Sequence, residues 1–333
     1  MSMAGDVKNN LACESSSRVE KTPFVQQSFC ANCGSRGELM YSGLKNRRAA
    51  LDGRYDLFRC VTCDLVYLSP RPSRRLLTDM YSGPYHSHTV ATERKCIFKV
   101  IKTLCLLPYR LRFGLEAGTF PPFGGGRVLD IGCGTGDYLA AMSALGWQCF
   151  GCEVSEAALT VAHRRLPQAT LYHGTVDEIP LERDSFEAVT LWHTLEHLED
   201  PLKALQRIRD LLVTDGRLLV AVPNIDSLEA KVLGKRWLEI DIPGHLFYFS
   251  LKTLRVLLEK AGFECTGSRP QVHPSTVSDC VDFCLNDLWG VKQSRQRKWL
   301  YYMLFPLTVA SYSLGNWGCI ELAAIKGNAE RLR

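Results

Sequence analysis

The sequence predicts an α/β fold: a doubly wound, mostly parallel sheet of seven strands, preceded by a small four-cysteine unit. Three observations predict it. From Arg127 onward, short apolar runs bounded by turn residues alternate with amphipathic helical stretches. A glycine turn, "GCGTG" at 132–136, joins the first apolar run to the first helical one. Ahead of both, Cys30-x-x-Cys33 and Cys60-x-x-Cys63 form a pair of pairs with a hairpin-sized spacer.

The elements follow in order. "RVLDI" reads as a buried strand and "DYLAAMSAL" as an apolar-faced helix stopped by Gly146. "QCFGCEV" is the second strand, and Ser155 caps the helix "EAALTVAHRRL". "ATLYH" and "FEAVTLW" are the third and fourth strands. Asp200 and Pro201 supply the cap and first-turn proline of "PLKALQRIRDLL", and an Asp215–Gly216 turn leads to the fifth strand, "RLLVAV". Ser250 caps "LKTLRVLLEKA", Gly262 ends it, and "FECTGS" and "CIELAAIK" complete the sheet. Alternation of this kind implies parallel strands with helices on both faces. Residues 1–27 read as a disordered leader, 28–70 as the cysteine unit closed by "SPRP", and 71–126 as a linking helical segment. That segment ends at Pro121, Pro122 and Gly124–Gly126; the main domain is 127–333.

Bulk properties bound the function. The 333 residues are 46% hydrophobic and 23% charged, with a formal charge of +5, which is ordinary for a globular chain. The basic residues form no concentrated stripe, which argues against a nucleic-acid partner. The opening "MSMAGDVKNNLACESSSRVEK" has no apolar core of the secretory kind, so the thiols are expected to be reduced in a cytoplasmic setting. Of the fourteen cysteines, only the two pairs share a pattern; Cys149 and Cys152 sit alone in a strand. The apolar run from Trp299 is broken by Pro306 and is shorter than the roughly 20 residues that span a bilayer. It reads as a helix buried on the main domain. Alternatively, with Arg295, Arg297 and Lys298 ahead of it, 295–320 makes a peripheral contact with an anionic membrane face.

The glycine turn carries the first chemistry. Gly132, Gly134 and Gly136 let backbone approach a ligand, and Glu153, ending the second strand, can accept hydrogen bonds from both ribose hydroxyls. The spacing is G-x-G-x-G rather than the G-x-G-x-x-G of nicotinamide sites, and Asp130 stands just before it. A carboxylate there repels a pyrophosphate but suits a cationic amino-acid moiety, which points to S-adenosylmethionine.

With these residues in view, the sequence resembles the class I S-adenosylmethionine-dependent methyltransferases from about Arg127 to Val222, and more weakly to Lys326. "VLDIGCGTG" looks like the family's first motif, "GCEVS" its ribose-binding strand end, and "GTVDEIP" its adenine-flanking loop. "SFEAVTLWHTLEHLEDP" and "DGRLLVAVPN" resemble the fourth- and fifth-strand motifs. The resemblance implies a Rossmann-like domain in which Asp130, Gly132 and Gly134 contact the methionine portion and Glu153 the ribose. Val154, Thr175 and Val176 frame the adenine, and Cys133, Gly136 and Leu191 complete the cofactor set. Thr175 departs from the family, which often has an acid there. The inserted segments 224–250 and 270–316 face the substrate.

Methyl transfer takes place outside the carboxyl ends of the strands, so Leu191 to His197 face the sulfonium. "WHTLEHL" offers His193, Glu196 and His197; in a helix, His193 and His197 would share a face. The segment is similar to the E-x-x-E-H loop of ubiquinone-pathway O-methyltransferases, whose side chains are proposed to hold a divalent cation. Here His193 replaces the first acid, which weakens a site for a hard cation. His193 is the first-choice base; for Glu196 and His197 the competing role is bracing the loop. "DIPGHLFYFS" brings His245 as a further base or substrate ligand, with Phe247, Tyr248 and Phe249 either core or pocket wall. Arg236 and Trp237 lie nearby. Tyr81, Tyr85 and His86 either cross over the cofactor or belong to a plain linker.

Four thiolates in two pairs, Cys30, Cys33, Cys60 and Cys63, suit a tetrahedral zinc site with no open position, hence a structural one. Gly34 and Asp64 follow the pairs, where unusual backbone angles are needed. The unit and its "LVYLSPRP" tail resemble zinc-ribbon leaders of small-molecule methyltransferases. The expected function is methyl transfer to a small-molecule or lipid-linked acceptor (a sugar, a quinone or phenol precursor, or a natural-product intermediate), O-methylation first. The alternatives are an rRNA or tRNA base methyltransferase, against which "WHTLEH" replaces an N/D-P-P-Y/F motif, and a non-catalytic scaffold that kept the fold.

Overall fold

A computed structural model describes residues 29–46, 53–73, 125–271, 276–289 and 318–327, with short pieces of 76–80 and 303–310. The leader 1–27, Tyr81, Tyr85 and His86, most of the linking segment and most of the apolar run from Trp299 lie outside the described residues. No helix among the described residues is long and apolar enough to cross a membrane.

The alternation read from sequence forms one seven-stranded sheet. Its parallel part holds β4 (Arg127–Ile131), β5 (Gln148–Glu153), β6 (Thr170–His173), β7 (Phe186–Trp192) and β8 (Leu212–Pro223). The order across the sheet is β10-β11-β8-β7-β4-β5-β6, so the winding order switches sides between the parallel strands β4 and β7, and the carboxyl ends of these two strands open a crevice. β10 (Phe263–Gln271) and β11 (Cys319–Lys326) close one edge. β11 runs antiparallel to both β8 and β10. Val128, Leu129, Val189, Leu191 and Val220 are almost wholly buried, as strands covered on both faces require.

Side-chain caps fix where the helices start. Ser155 accepts from the Ala158 amide, Asp200 from the Lys203 amide, and Ser250 makes a reciprocal pair with Thr253, each cap worth about 1 kcal/mol. The Asp215–Gly216 turn behaves differently from expectation. The chain enters the sheet at Leu212 directly from the helix Pro201–Leu211, and the turn becomes a bulge within a longer β8. Phe186 pairs with Leu212 and Ala188 already with Arg217, so the extra residues arch out of the ladder at Asp215, φ 59°.

The cysteine unit is not a separate bead. Its strands β1 (Gly37–Leu44), β2 (Tyr55–Cys60) and β3 (Val66–Ser69) form an antiparallel sheet whose fourth strand, β9 (Phe247–Tyr248), comes from the main domain. Apolar residues of this sheet, Tyr55, Leu57 and Leu68, are buried in the same core as Ile131 and Leu191.

Candidate functional site

At the end of β4, Gly132 has φ 72° and its amide donates to the Cys152 carbonyl, turning the chain sharply over β5. A Cβ at Gly132 would stand 2.5 Å from Thr194 Oγ1. Gly132→Ala is therefore expected to lose about tenfold or more in S-adenosylmethionine affinity, because the left-handed backbone alone costs an L-residue roughly 1–2 kcal/mol. Calorimetric titration checks it. Gly136, φ 76°, starts the helix Asp137–Ala144.

Glu153 ends β5 with Oε2 accepting from the Gly134 amide and Oε1 from the Ser155 amide, so the carboxylate is aimed at the glycine turn. Asp130 is 2% exposed and accepts a 2.7 Å hydrogen bond from Thr190 of the neighbouring strand. Burial pushes its carboxyl up to about 7, assisted by the charge of Glu153 and opposed by the Thr190 hydroxyl. Val154 is exposed at the crevice rim, whereas the side chains of Val176, Leu191 and Cys133 are buried. The Thr175 amide donates to Glu178, placing an acid one turn beyond the position where the family often carries one. The Trp192 indole, packed 5.1 Å from the Tyr138 ring, has a buried Nε1 with no hydrogen-bond partner among the described residues.

The histidine segment after β7 is not an α-helix. His193 sits at φ 51°, its amide bonded to the Ala221 carbonyl, and only Leu195–His197 make a short 3-10 turn. His193 and His197 thus do not share a helix face. His193 Nε2 lies 3.0 Å from Gln271 Oε1, and its Nδ1 lies 3.6 Å from Glu196 Oε1. Although burial opposes it, Glu196 and Gln271 hold the His193 imidazole above its usual range.

The side chains that do converge are Glu196, His197 and His245, whose ligand-capable atoms all lie within 4.8 Å of one another. His197 Nδ1 donates to the Gly244 carbonyl at 2.9 Å, and His245 Nδ1 to the Glu239 carbonyl at 2.8 Å. Glu196 is 1% exposed, and neither carboxylate oxygen accepts a hydrogen bond among the described residues. Burial would raise its carboxyl, but the three surrounding imidazoles hold it below the usual range. Burial and the neighbouring His245 push His197 down to about 4, so it is neutral at pH 7. Phe247, Tyr248, Phe249 and Trp237 are core residues, and Arg236 flanks them in a 3-10 turn.

In the cysteine unit, Sγ–Sγ distances are 3.4 Å for Cys33–Cys60 and 3.6 Å for Cys30–Cys63 and Cys33–Cys63. These approach the roughly 3.8 Å edge of a tetrahedron with metal–sulfur bonds of ~2.3 Å. Gly34 and Asp64 adopt φ 73° and 62°, and their amides donate to the Cys30 and Cys60 carbonyls, closing two matching knuckles. Against the effect of burial, hydrogen bonds from Ser35 draw the Cys33 thiol down to about 6.

A family profile described as a methyltransferase domain matches residues 106–267. A ubiquinone biosynthesis O-methyltransferase from Ruegeria pomeroyi is 31% identical over 48% of this chain and 71% of its own length. The chain belongs to the class I S-adenosylmethionine-dependent methyltransferases. A demethylmenaquinone methyltransferase from Clavibacter sepedonicus is 33% identical over 30% of the chain and 42% of its own length, so the match spans less than half of that relative. An S-adenosylmethionine-dependent methyltransferase from Thermotoga maritima is 22% identical, covers 69% of the chain and 96% of itself, and has a TM-score of 0.45. Of the residues around this methyltransferase site, sequence reasoning missed Thr190 and Gln271. Thr190 was findable in principle, since it pairs in register with Asp130 on the adjacent strand; Gln271 carried no signal.

Proposed function

We propose that this methyltransferase moves the methyl group of S-adenosylmethionine to a hydroxyl oxygen of a small acceptor, a quinone or phenol precursor. The observation that carries the reading is the convergence of Glu196, His197 and His245 beyond the ends of β7 and β8. The two quinone-pathway relatives support the acceptor class.

Asp130 receives the methionine ammonium and Glu153 the ribose hydroxyls. At the acceptor end, His245 spends its Nδ1 proton on the Glu239 carbonyl, which leaves Nε2 as a lone-pair nitrogen able to take the hydroxyl proton. His193, with an acceptor facing each ring nitrogen, is better suited to remain protonated and to hold Glu196 in place than to act as the base.

Glu196, His197 and His245 also fit a divalent cation, and with one bound His245 Nε2 would serve as a ligand rather than as the base. A buried carboxylate without hydrogen bonds is costly unless a charge meets it, and backbone carbonyls on Nδ1 orient imidazoles in the manner of metal-bound histidines. Such a cation would acidify the acceptor hydroxyl. The four thiolates fit a structural zinc.

Transfer of a labelled methyl group from S-adenosylmethionine to catechol-type and hydroxyquinone acceptors tests the reading. Incorporation into the oxygen is expected; label appearing only in RNA, or no cofactor binding at near-millimolar concentration, would overturn it.

A further inference from the structure

The ribbon and the acceptor side of the site are one hydrogen-bonded structure. β9 is the joint: Val66 pairs with Tyr248 and Tyr67 with Phe247. One residue earlier, the Leu246 peptide is held from both directions. Its carbonyl accepts from the Leu68 amide of the ribbon at 3.0 Å, and its amide donates to the Glu196 carbonyl at 2.8 Å. His245 is the adjacent residue, and Gly244, next again, supplies the carbonyl that orients His197. Beyond β3, Arg71 donates to the Glu199 carbonyl at 2.7 Å and lays its guanidinium 4.7 Å over the Phe247 ring.

The knuckles are fastened to the same region. Asp64, beside Cys63, pairs with Lys252 at 2.6 Å, and Lys260 donates to the Asn32 carbonyl between Cys30 and Cys33. Both lysines lie on the helix Leu251–Lys260, which begins three residues after β9. Within the ribbon, Cys60 ends β2 and Arg59 pairs with Val66, so the thiol cluster sits one ladder step from the pair Val66–Tyr248. The cofactor end is wired differently. Asp130 and Glu153 are held by Thr190, Gly134 and Ser155, all from the parallel sheet and its turns.

We propose that the ribbon is the positioning element of the acceptor site. Through Leu68 and Arg71 it sets Leu246, and through Leu246 it sets His245 and the Glu196 loop, while leaving cofactor binding independent. The proposal rests on the catalytic reading of His245 only for its consequence in turnover; the coupling itself is structural and is read without turnover.

A short β9 of two residues is too small to hold its place alone, and a four-thiolate unit this size lacks a core of its own without its metal. Each part therefore orders the other. Loss of the ribbon metal releases β3, which frees β9 and its two histidine-bearing neighbours.

The test uses the full chain, loaded with zinc and then stripped by a chelator, alongside Arg71→Gln in the zinc-loaded protein. Three readouts are taken: amide hydrogen exchange at 244–249, the nitrogen NMR signature of the His245 tautomer, and S-adenosylmethionine affinity. Stripping is expected to raise exchange at Leu246 to Tyr248 about tenfold or more and to erase the tautomer signature, with cofactor affinity within about twofold and exchange in Asp137–Ala144 unchanged. Protection at 246–248 that survives stripping would overturn the proposal. Should stripping unfold the chain and abolish cofactor binding, Arg71→Gln decides. Raised exchange at 246–248 with the zinc content unchanged supports the coupling, and unchanged exchange overturns it. A failure of the methyl-acceptor reading would appear instead as absent label transfer with the coupling intact.

Discussion

Glu196→Gln is expected to lower turnover by about 10²- to 10⁴-fold, the range that loss of a positioned acid–base or metal-assisted step produces. S-adenosylmethionine affinity is expected to stay within about threefold, because Asp130 and Glu153 are held by Thr190, Gly134 and Ser155. The same substitution is expected to lower the melting temperature at pH 7, because the folded state holds the Glu196 carboxyl below its usual range and so favours its charged form. Glu196 is 1% exposed, accepts no hydrogen bond among the described residues, and pairs with His193 Nδ1 at 3.6 Å. Removing one member of a buried ion pair leaves the other uncompensated and destabilises the fold. The rate separates the readings of this loop. A brace would lose stability and keep its rate, while a catalytic or metal-holding group loses its rate as well. Thermal unfolding in the presence of chelator, together with label-transfer rates, checks both arms.

The parts of the structure that were legible in the sequence are those whose cause is local. Ser155, Asp200 and Ser250 announce their helices because a cap acts within three residues, and each was found as read. The glycine turn is visible because only glycine tolerates φ 72° at Gly132 beside Thr194. Gly34 and Asp64 follow their cysteine pairs with the positive φ that the knuckles require. What stayed hidden depends on chain segments far apart. Nothing in "GHLFYFS" marks Phe247 and Tyr248 as the fourth strand of a sheet begun at Gly37, since two residues carry no periodicity. The approach of His245 to Glu196 is fixed by bonds between distant segments, Leu246 to the Glu196 carbonyl and His197 to the Gly244 carbonyl. His193 misled for a related reason: an i, i+4 histidine spacing implies a shared face only if the backbone is helical, and φ 51° at His193 breaks it. The orientation of β11 was equally unreadable, because an apolar run has no direction until its partners are known.

Asp130 gives the second large effect, through pH. Burial raises its carboxyl to about 7 in the cofactor-free protein, so below that pH the group is largely protonated. A methionine ammonium binds the carboxylate form, so binding must release a proton there. Affinity for S-adenosylmethionine is therefore expected to be level above about pH 7 and to fall toward tenfold per pH unit below it. Asp130→Asn should flatten that profile and weaken binding at pH 8 by about 30-fold or more, the scale for truncating one partner of a buried charge pair. Calorimetry in buffers of differing ionisation enthalpy reads the proton directly; no release at pH 6 would remove Asp130 from the ammonium site. Stability supplies an independent sign. Because the folded carboxyl lies above its unfolded range, the cofactor-free protein binds more protons than the unfolded chain between about pH 4 and 7, and loses stability as pH rises through that window. Asparagine removes the loss, so the variant should be the more stable protein at pH 8 and the poorer binder of cofactor. Asp130 and Glu196 are therefore opposite cases: Asp130 is a carboxylate whose burial only the cofactor's ammonium offsets, whereas Glu196 is buried beside the His193 imidazole that holds its charge.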